Sequence, residues 1–120
     1  MIFDIEKMKE LGYNMLRKHI KEEPLRWYYH CDRLGMLVWQ DMISGGQYIG
    51  NVLAGVLPNI NIHVKDNMYK SFKRDKPEWR QEFKDELFGM IDNLYNCVSI
   101  CCWVPFNEGW GQFDANELGT

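Results

Sequence analysis

Residues 98–114 read VSICCWVPFNEGWGQFD. Val98 to Val104 is nearly all apolar, as a strand covered on both faces requires. Pro105 then ends regular pairing, because proline has no N–H to give to a ladder. The next residues are polar and glycine-rich: Asn107, Glu108, Gly109, Trp110, Gly111. An apolar strand thus delivers an amide and a carboxylate into a loop at its C-terminal end. In α/β folds that is the end where sites gather.

Upstream, the pattern changes period. Trp79, Phe83, Leu87, Met90, Ile91 and Leu94 form a helical stripe ending near Tyr95. Lys76-Pro77-Glu78 opens this helix, with acid at its positive end. The same phrase, helix then break then apolar strand, occurs twice more towards the N-terminus. One helix is expected from about Asp4, read as its N-cap, to Leu11, with Ile5, Met8 and Leu11 on one face. Gly12 stops it and a short strand, Tyr13 to Arg17, follows. Another helix starts near Pro24, with Leu25, Tyr28, Cys31 and Leu34 as its apolar side, and Gly35 ends it. Met36 to Asp41 is the strand after it. Residues 42–74 hold Gly45, Gly46, Gly50, Gly55 and Pro58 and are expected as an irregular loop, with a turn of helix at Leu53 to Leu57.

Strands alternating with helices pair in parallel through right-handed crossovers. The expected fold class is therefore α/β, in one domain over residues 1–120. Three such units fit an open doubly wound sheet or part of a barrel. No phosphate-binding glycine motif follows a strand, which weakens the nucleotide-binding version.

Composition narrows the partners. The 120 residues carry a net charge of −3 without a basic stripe, which disfavours nucleic acid. The short run Lys70 to Arg74 reads as a solvated loop. No apolar run approaches the ~20 residues of a membrane span. Met1 leads into a mixed sequence with no signal-peptide pattern. Cys31, Cys97, Cys101 and Cys102 lack zinc-site spacing and read as structural thiols. No metal or cofactor is expected.

The polar residues just past the strands are the candidates: Arg17 and His19, Asp41, then Asn107 and Glu108. Each has a structural alternative. Arg17 can pair with Asp41 or Glu108 to hold strand ends. Asp41 can merely orient Arg17 or a backbone N–H. His19 can cap a loop, and Trp110 can pack under a rim instead of facing a sugar. Glu108 has the strongest functional reading, because glycines beside it admit close approach. Glycoside cleavage suits the set: one carboxyl protonates the leaving oxygen, and a second attacks or activates water. An amide beside the acid, such as Asn107, can hold a sugar hydroxyl.

The stretches DIEKMKELGYNMLRKHIKEEPLRWYYHCDRLGMLVWQDM, residues 4–42, and WVPFNEGWGQFDA, residues 103–115, resemble the catalytic barrel of glycoside hydrolase family 2. This family holds β-galactosidases, β-glucuronidases and β-mannosidases. The resemblance implies a partial (β/α)8 barrel, its second to fourth strands with their helices. It implies a retaining β-glycosidase with a carbohydrate substrate. Glu108 matches the general acid/base and Asn107 the neighbouring amide. Arg17 matches an active-site arginine, Asp41 an acidic position after the third strand, and His19 matches only in part. The family nucleophile, a glutamate on the seventh strand, has no counterpart here. A complete barrel takes ~250 residues. The chain alone is therefore expected to be inactive. Open sheet edges and exposed apolar patches lead us to expect self-association.

Overall fold

A computed structural model describes all residues except 44, 46–49, 51, 53–55, 61–63, 110 and 120. The elements run α1 (Ile2–Glu10), β1 (Met15–Lys18), α2 (Leu25–Leu34), β2 (Leu37–Asp41), α3 (Leu57–Asn59), α4 (Pro77–Leu94), β3 (Ile100–Val104) and α5 (Ala115–Leu118). The chain divides into two compact units, residues 1–43 with 88–104 and residues 44–87 with 105–120.

The first unit is a mixed α/β layer. Its three strands are parallel and lie in sequence order, β1-β2-β3. Successive parallel neighbours need a crossover between them, and α2 supplies the one from β1 to β2. Gly35 ends α2 at φ 65°, a left-handed value that costs glycine least. The turn lets Gly35 and Met36 give their N–H groups to the carbonyls of Asp32 and Cys31.

Alternation along β2 sorts the two faces. Val38 and Gln40 are buried, while Leu37 and Trp39 stay 45% and 39% exposed. Tyr28 of α2 and Met90 of α4 both reach Gln40, so helices cover that face. Met15 and Arg17 pair with Leu37 and Trp39 and extend the open face. On β3 the register slips by one residue between Val38 and Trp39. A slip of one swaps faces in a strand of period two. Ile100 and Trp103 therefore match Val38 and Gln40, whereas Cys102 and Val104 match Trp39 and Asp41.

The second unit is built on aromatic packing. Phe83 and Phe106 stack with centroids 5.1 Å apart, and Phe113 meets both edge-on at 5.5 and 5.7 Å. The residues 64–76 precede α4, and 105–119 follow β3. Asp66 accepts the Ala115 N–H at 2.8 Å, and the Tyr69 hydroxyl donates to Asp114 at 2.9 Å.

Several local expectations shift. Asp4 lies inside the first turn of α1, whose N-cap is Met1. Ile5 alone of its stripe is buried; Met8 and Leu11 are exposed. Leu25 is exposed as well, so the buried face of α2 is Trp27, Tyr28 and Cys31. The α4 stripe holds at Phe83, Leu87, Met90 and Leu94. Val98 and Ser99 precede β3 rather than opening it. Of the expected turn at Leu53 to Leu57, residues 53–55 lie outside the described residues, and α3 begins at Leu57.

Candidate functional site

In the first unit the strand ends gather around one carboxylate. Asp41, the last residue of β2, is fully buried. Arg17 of β1 grips it with a two-pronged fork, Nε to Oδ1 and Nη2 to Oδ2, both at 2.9 Å. Parallel register makes this possible. Arg17 pairs with Trp39, so Asp41 stands two residues further along on the same face. The Ile20 N–H donates to Asp41 Oδ2 at 3.2 Å, and His19 Nδ1 lies 3.5 Å from the same oxygen. Ile20 itself sits at φ 46°. A β-branched residue there is strained, at a cost of about 1–3 kcal/mol. Arg17, His19 and Asp41 are thus brought together. The structural alternatives noted for Arg17 and Asp41 both occur: a strand-end pair, and a carboxylate that orients a backbone N–H. The half-exposed guanidinium and imidazole remain presented to solvent.

Behind this cluster lies a polar chain that the sequence did not announce. The Tyr28 hydroxyl donates to Gln40 Oε1 at 2.6 Å and accepts from the Glu23 N–H at 3.2 Å. Gln40 Nε2 donates to the carbonyl oxygens of Lys21 and Asp41 at 2.9 and 2.8 Å. A buried amide with these partners is satisfied, and it pins the loop after β1 against β2. Burial pushes the Tyr28 hydroxyl up to about 12, keeping it a donor. Lys18 and Lys21, 2.6 and 2.9 Å from the Glu23 carboxylate, hold it below the usual range. The only sequence signal was a glutamine at an inward strand position.

In the second unit, Asn107 and Glu108 follow the end of β3 after two intervening residues, Pro105 and Phe106. They occupy a 3-10 turn, Asn107–Gly109. Asn107 is buried and Glu108 is exposed. Glu108 adopts φ 52°, ψ 24°, a left-handed conformation uncommon for a non-glycine residue. Residues forced into such regions concentrate at functional sites. A carboxyl group is among the side chains suited to acid/base work. Trp110 lies outside the described residues.

The solvated-loop reading of Lys70 to Arg74 fails at its last residue. Lys70 and Lys73 are exposed, but Arg74 is buried. Its Nε donates to the Gly111 carbonyl at 3.1 Å and its Nη2 to the Gly45 carbonyl at 2.6 Å. The guanidinium carbon lies 4.9 Å from the Phe83 centroid and 5.6 Å from that of Phe113. Burial lowers the pKa of Arg74, and Glu86 and Glu82 pull it back up. Nothing in the spacing of Lys70, Lys73 and Arg74 separates the buried cation from the solvated ones.

No protein-family model matches the chain. Curated relatives do. A β-galactosidase of Erwinia tasmaniensis is 29% identical over 109 residues, covering 90% of this chain and 9% of that protein. A β-galactosidase of Streptococcus thermophilus is 25% identical over 118 residues, 98% of this chain and 10% of that protein. One from Enterobacter cloacae is 28% identical over 106 residues, 88% and 8%. The chain spans about a tenth of the length of the curated relatives it matches. These similarities support a glycosidase-related, β-galactosidase-like segment.

Proposed function

We propose that residues 1–120 are one partial catalytic domain of a retaining β-glycosidase of glycoside hydrolase family 2, acting on a β-galactoside-like substrate. The three parallel strands would be the second, third and fourth of a (β/α)8 barrel. Their sequence order and the helix cover on one face support this reading, since barrel strands follow one another and turn their other face inward. The observation that carries the function is the Asn107–Gly109 turn, which presents Glu108 at the end of an apolar strand.

Glu108 is then the general acid/base. Protonated, it gives its proton to the glycosidic oxygen as the bond to the sugar breaks; ionised, it takes a proton from the water that releases the sugar. Asn107 holds a sugar hydroxyl. Arg17, oriented by Asp41, supports a carboxylate or a substrate hydroxyl, with His19 beside it, and Trp110 is assigned to the sugar. Retention needs a second carboxylate ~5 Å from the first. In this reading it lies outside residues 1–120, so the chain alone does not turn over.

The test replaces the matching stretch of one of these β-galactosidases with residues 4–115. General acid/base groups contribute about 10²–10⁴-fold. A chimera that hydrolyses an aryl β-galactoside and loses at least a hundredfold on Glu108→Gln supports the assignment. Undiminished turnover in that variant, or a folded chimera with none, sinks it. Turnover by the 120-residue chain itself overturns the statement that it is inactive alone.

A second reading rests on the open sheet face. Met15, Leu37 and Trp39 are exposed there, and a parallel sheet is ordinarily covered on both sides. A non-catalytic fragment that associates with further copies would cover it. A monodisperse monomer by light scattering removes this reading.

A further inference from the structure

The Arg74 side chain lies under the loop that carries Glu108, in a place no surface role explains. Its fork joins two chain segments, residue 45 in the loop after β2 and residue 111 in the loop after β3. The Phe83 and Phe113 centroids stand 4.9 and 5.6 Å from its guanidinium carbon, within the range at which a cation is attracted to an aromatic ring. Gly111 is at φ 66°, and a Cβ added there would sit 2.9 Å from Arg74 Nη2 and 3.2 Å from its Nε. The backbone of the loop is therefore pressed against the guanidinium without room for one methyl group. Arg80 in turn donates to the Arg74 carbonyl, and its own guanidinium lies 4.0 Å from the Tyr69 centroid. Tyr69 holds Asp114 just beyond the loop. The segment 105–114 is thus fixed at Phe106, Gly111, Phe113 and Asp114, on either side of the turn at Glu108.

We propose that Arg74 is a positioning residue for Glu108. Its planar fork sets the path of the loop from Phe106 to Phe113, and through that path the left-handed backbone of Glu108. The inference rests on the acid/base reading of Glu108, which gives the positioning its purpose. The physical reason for arginine is geometric. A lysine would place a point charge near one carbonyl, whereas the fork meets two carbonyls at fixed angles with two aromatic rings close to its carbon. Arg74 touches no reacting atom in this proposal and acts only through the loop.

The test uses the 120-residue chain as it stands. Arg74→Met retains the packing on Phe83 and Phe113 and removes the fork. Arg74→Lys retains the charge. Gly111→Ala keeps the arginine but pushes its fork away from the loop. Amide hydrogen exchange is read for residues 106–113, with residues 37–41 as reference, together with the three-bond HN–Hα coupling of Glu108, which reports its φ. Exchange of the loop is expected to accelerate at least tenfold in all three variants, with residues 37–41 unchanged and the Glu108 coupling moved off its wild-type value. Free guanidinium added to Arg74→Ala is expected to restore the wild-type coupling, which a general loss of stability would not allow. Loop exchange and coupling unchanged in Arg74→Met and Gly111→Ala, or exchange accelerated equally in both segments, overturns the proposal. None of these measurements uses a sugar. A failure of the acid/base reading would show in the chimera's hydrolysis while the clamp still showed in exchange.

Discussion

The two units bury opposite charges by different means. In the first, Asp41 is fully buried, and its charge is met by the Arg17 fork, the Ile20 N–H and nearby His19. In the second, Arg74 is buried, and it is met by two carbonyl dipoles and two aromatic rings. A buried ion matched to a single opposite charge depends on that partner: with the partner gone, a bare charge is left in low dielectric. A buried ion spread over dipoles leaves only weak acceptors behind when it is removed. The carboxylate should therefore be the brittle site and the guanidinium the replaceable one, although both are hidden from water.

Arg17→Met breaks the first arrangement by stranding Asp41. The cost of breaking a buried pair is ~3–5 kcal/mol, to be reduced because Arg17 is half-exposed, so about 2–3 kcal/mol is expected in urea unfolding. Adding Asp41→Leu should restore most of the loss, because the stranded charge goes with it. A double variant no more stable than Arg17→Met would mean that the fork stabilises by packing instead of charge.

Arg74→Met is expected to cost less, about 1–2 kcal/mol, chiefly for the Gly111 carbonyl left unpaired. Gly111 is buried and Gly45 is exposed, so water can satisfy only the second. A loss larger than that of Arg17→Met would reverse the comparison.

The smallest effect sharpens the first unit by pH. Lys18 and Lys21 hold the Glu23 carboxyl below its unfolded value. A depressed carboxyl stabilises the fold at pH above the unfolded pKa, and this is lost as pH falls through the folded one. Acid unfolding should therefore include a small component below about pH 4.5, the ordinary value for this group, that Glu23→Gln removes. An acid profile unchanged by that variant would show the lysine pair to be idle.

Much of this was legible in the sequence. Period-3.6 stripes placed α2 and α4, and apolar runs placed the three strands. The polar residues at or past the C-terminal ends of the strands, Arg17, His19, Asp41, Asn107 and Glu108, follow from strand direction alone. Arg74 escapes such a reading because neighbours in a loop have no periodicity to reveal which one turns inward. The extent of α1 burial escapes it because the apolar positions of that helix outnumber the one that finds a partner, Ile5. Gln40 escapes it because an amide in an apolar strand reads as an exception until its acceptors and donors are known.

By itself the sequence determined what short-range physics can determine: which segments are helix or strand, that the strands run parallel, and which residues stand at their C-terminal ends. Only the tertiary structure decided the pairings across distance. Register put Arg17 on Asp41, a slip beside Val38 chose which β3 side chains face the helices, and the two loops closed on Arg74. Those outcomes depend on contacts between residues 24 to 63 positions apart, whose energies no local pattern carries.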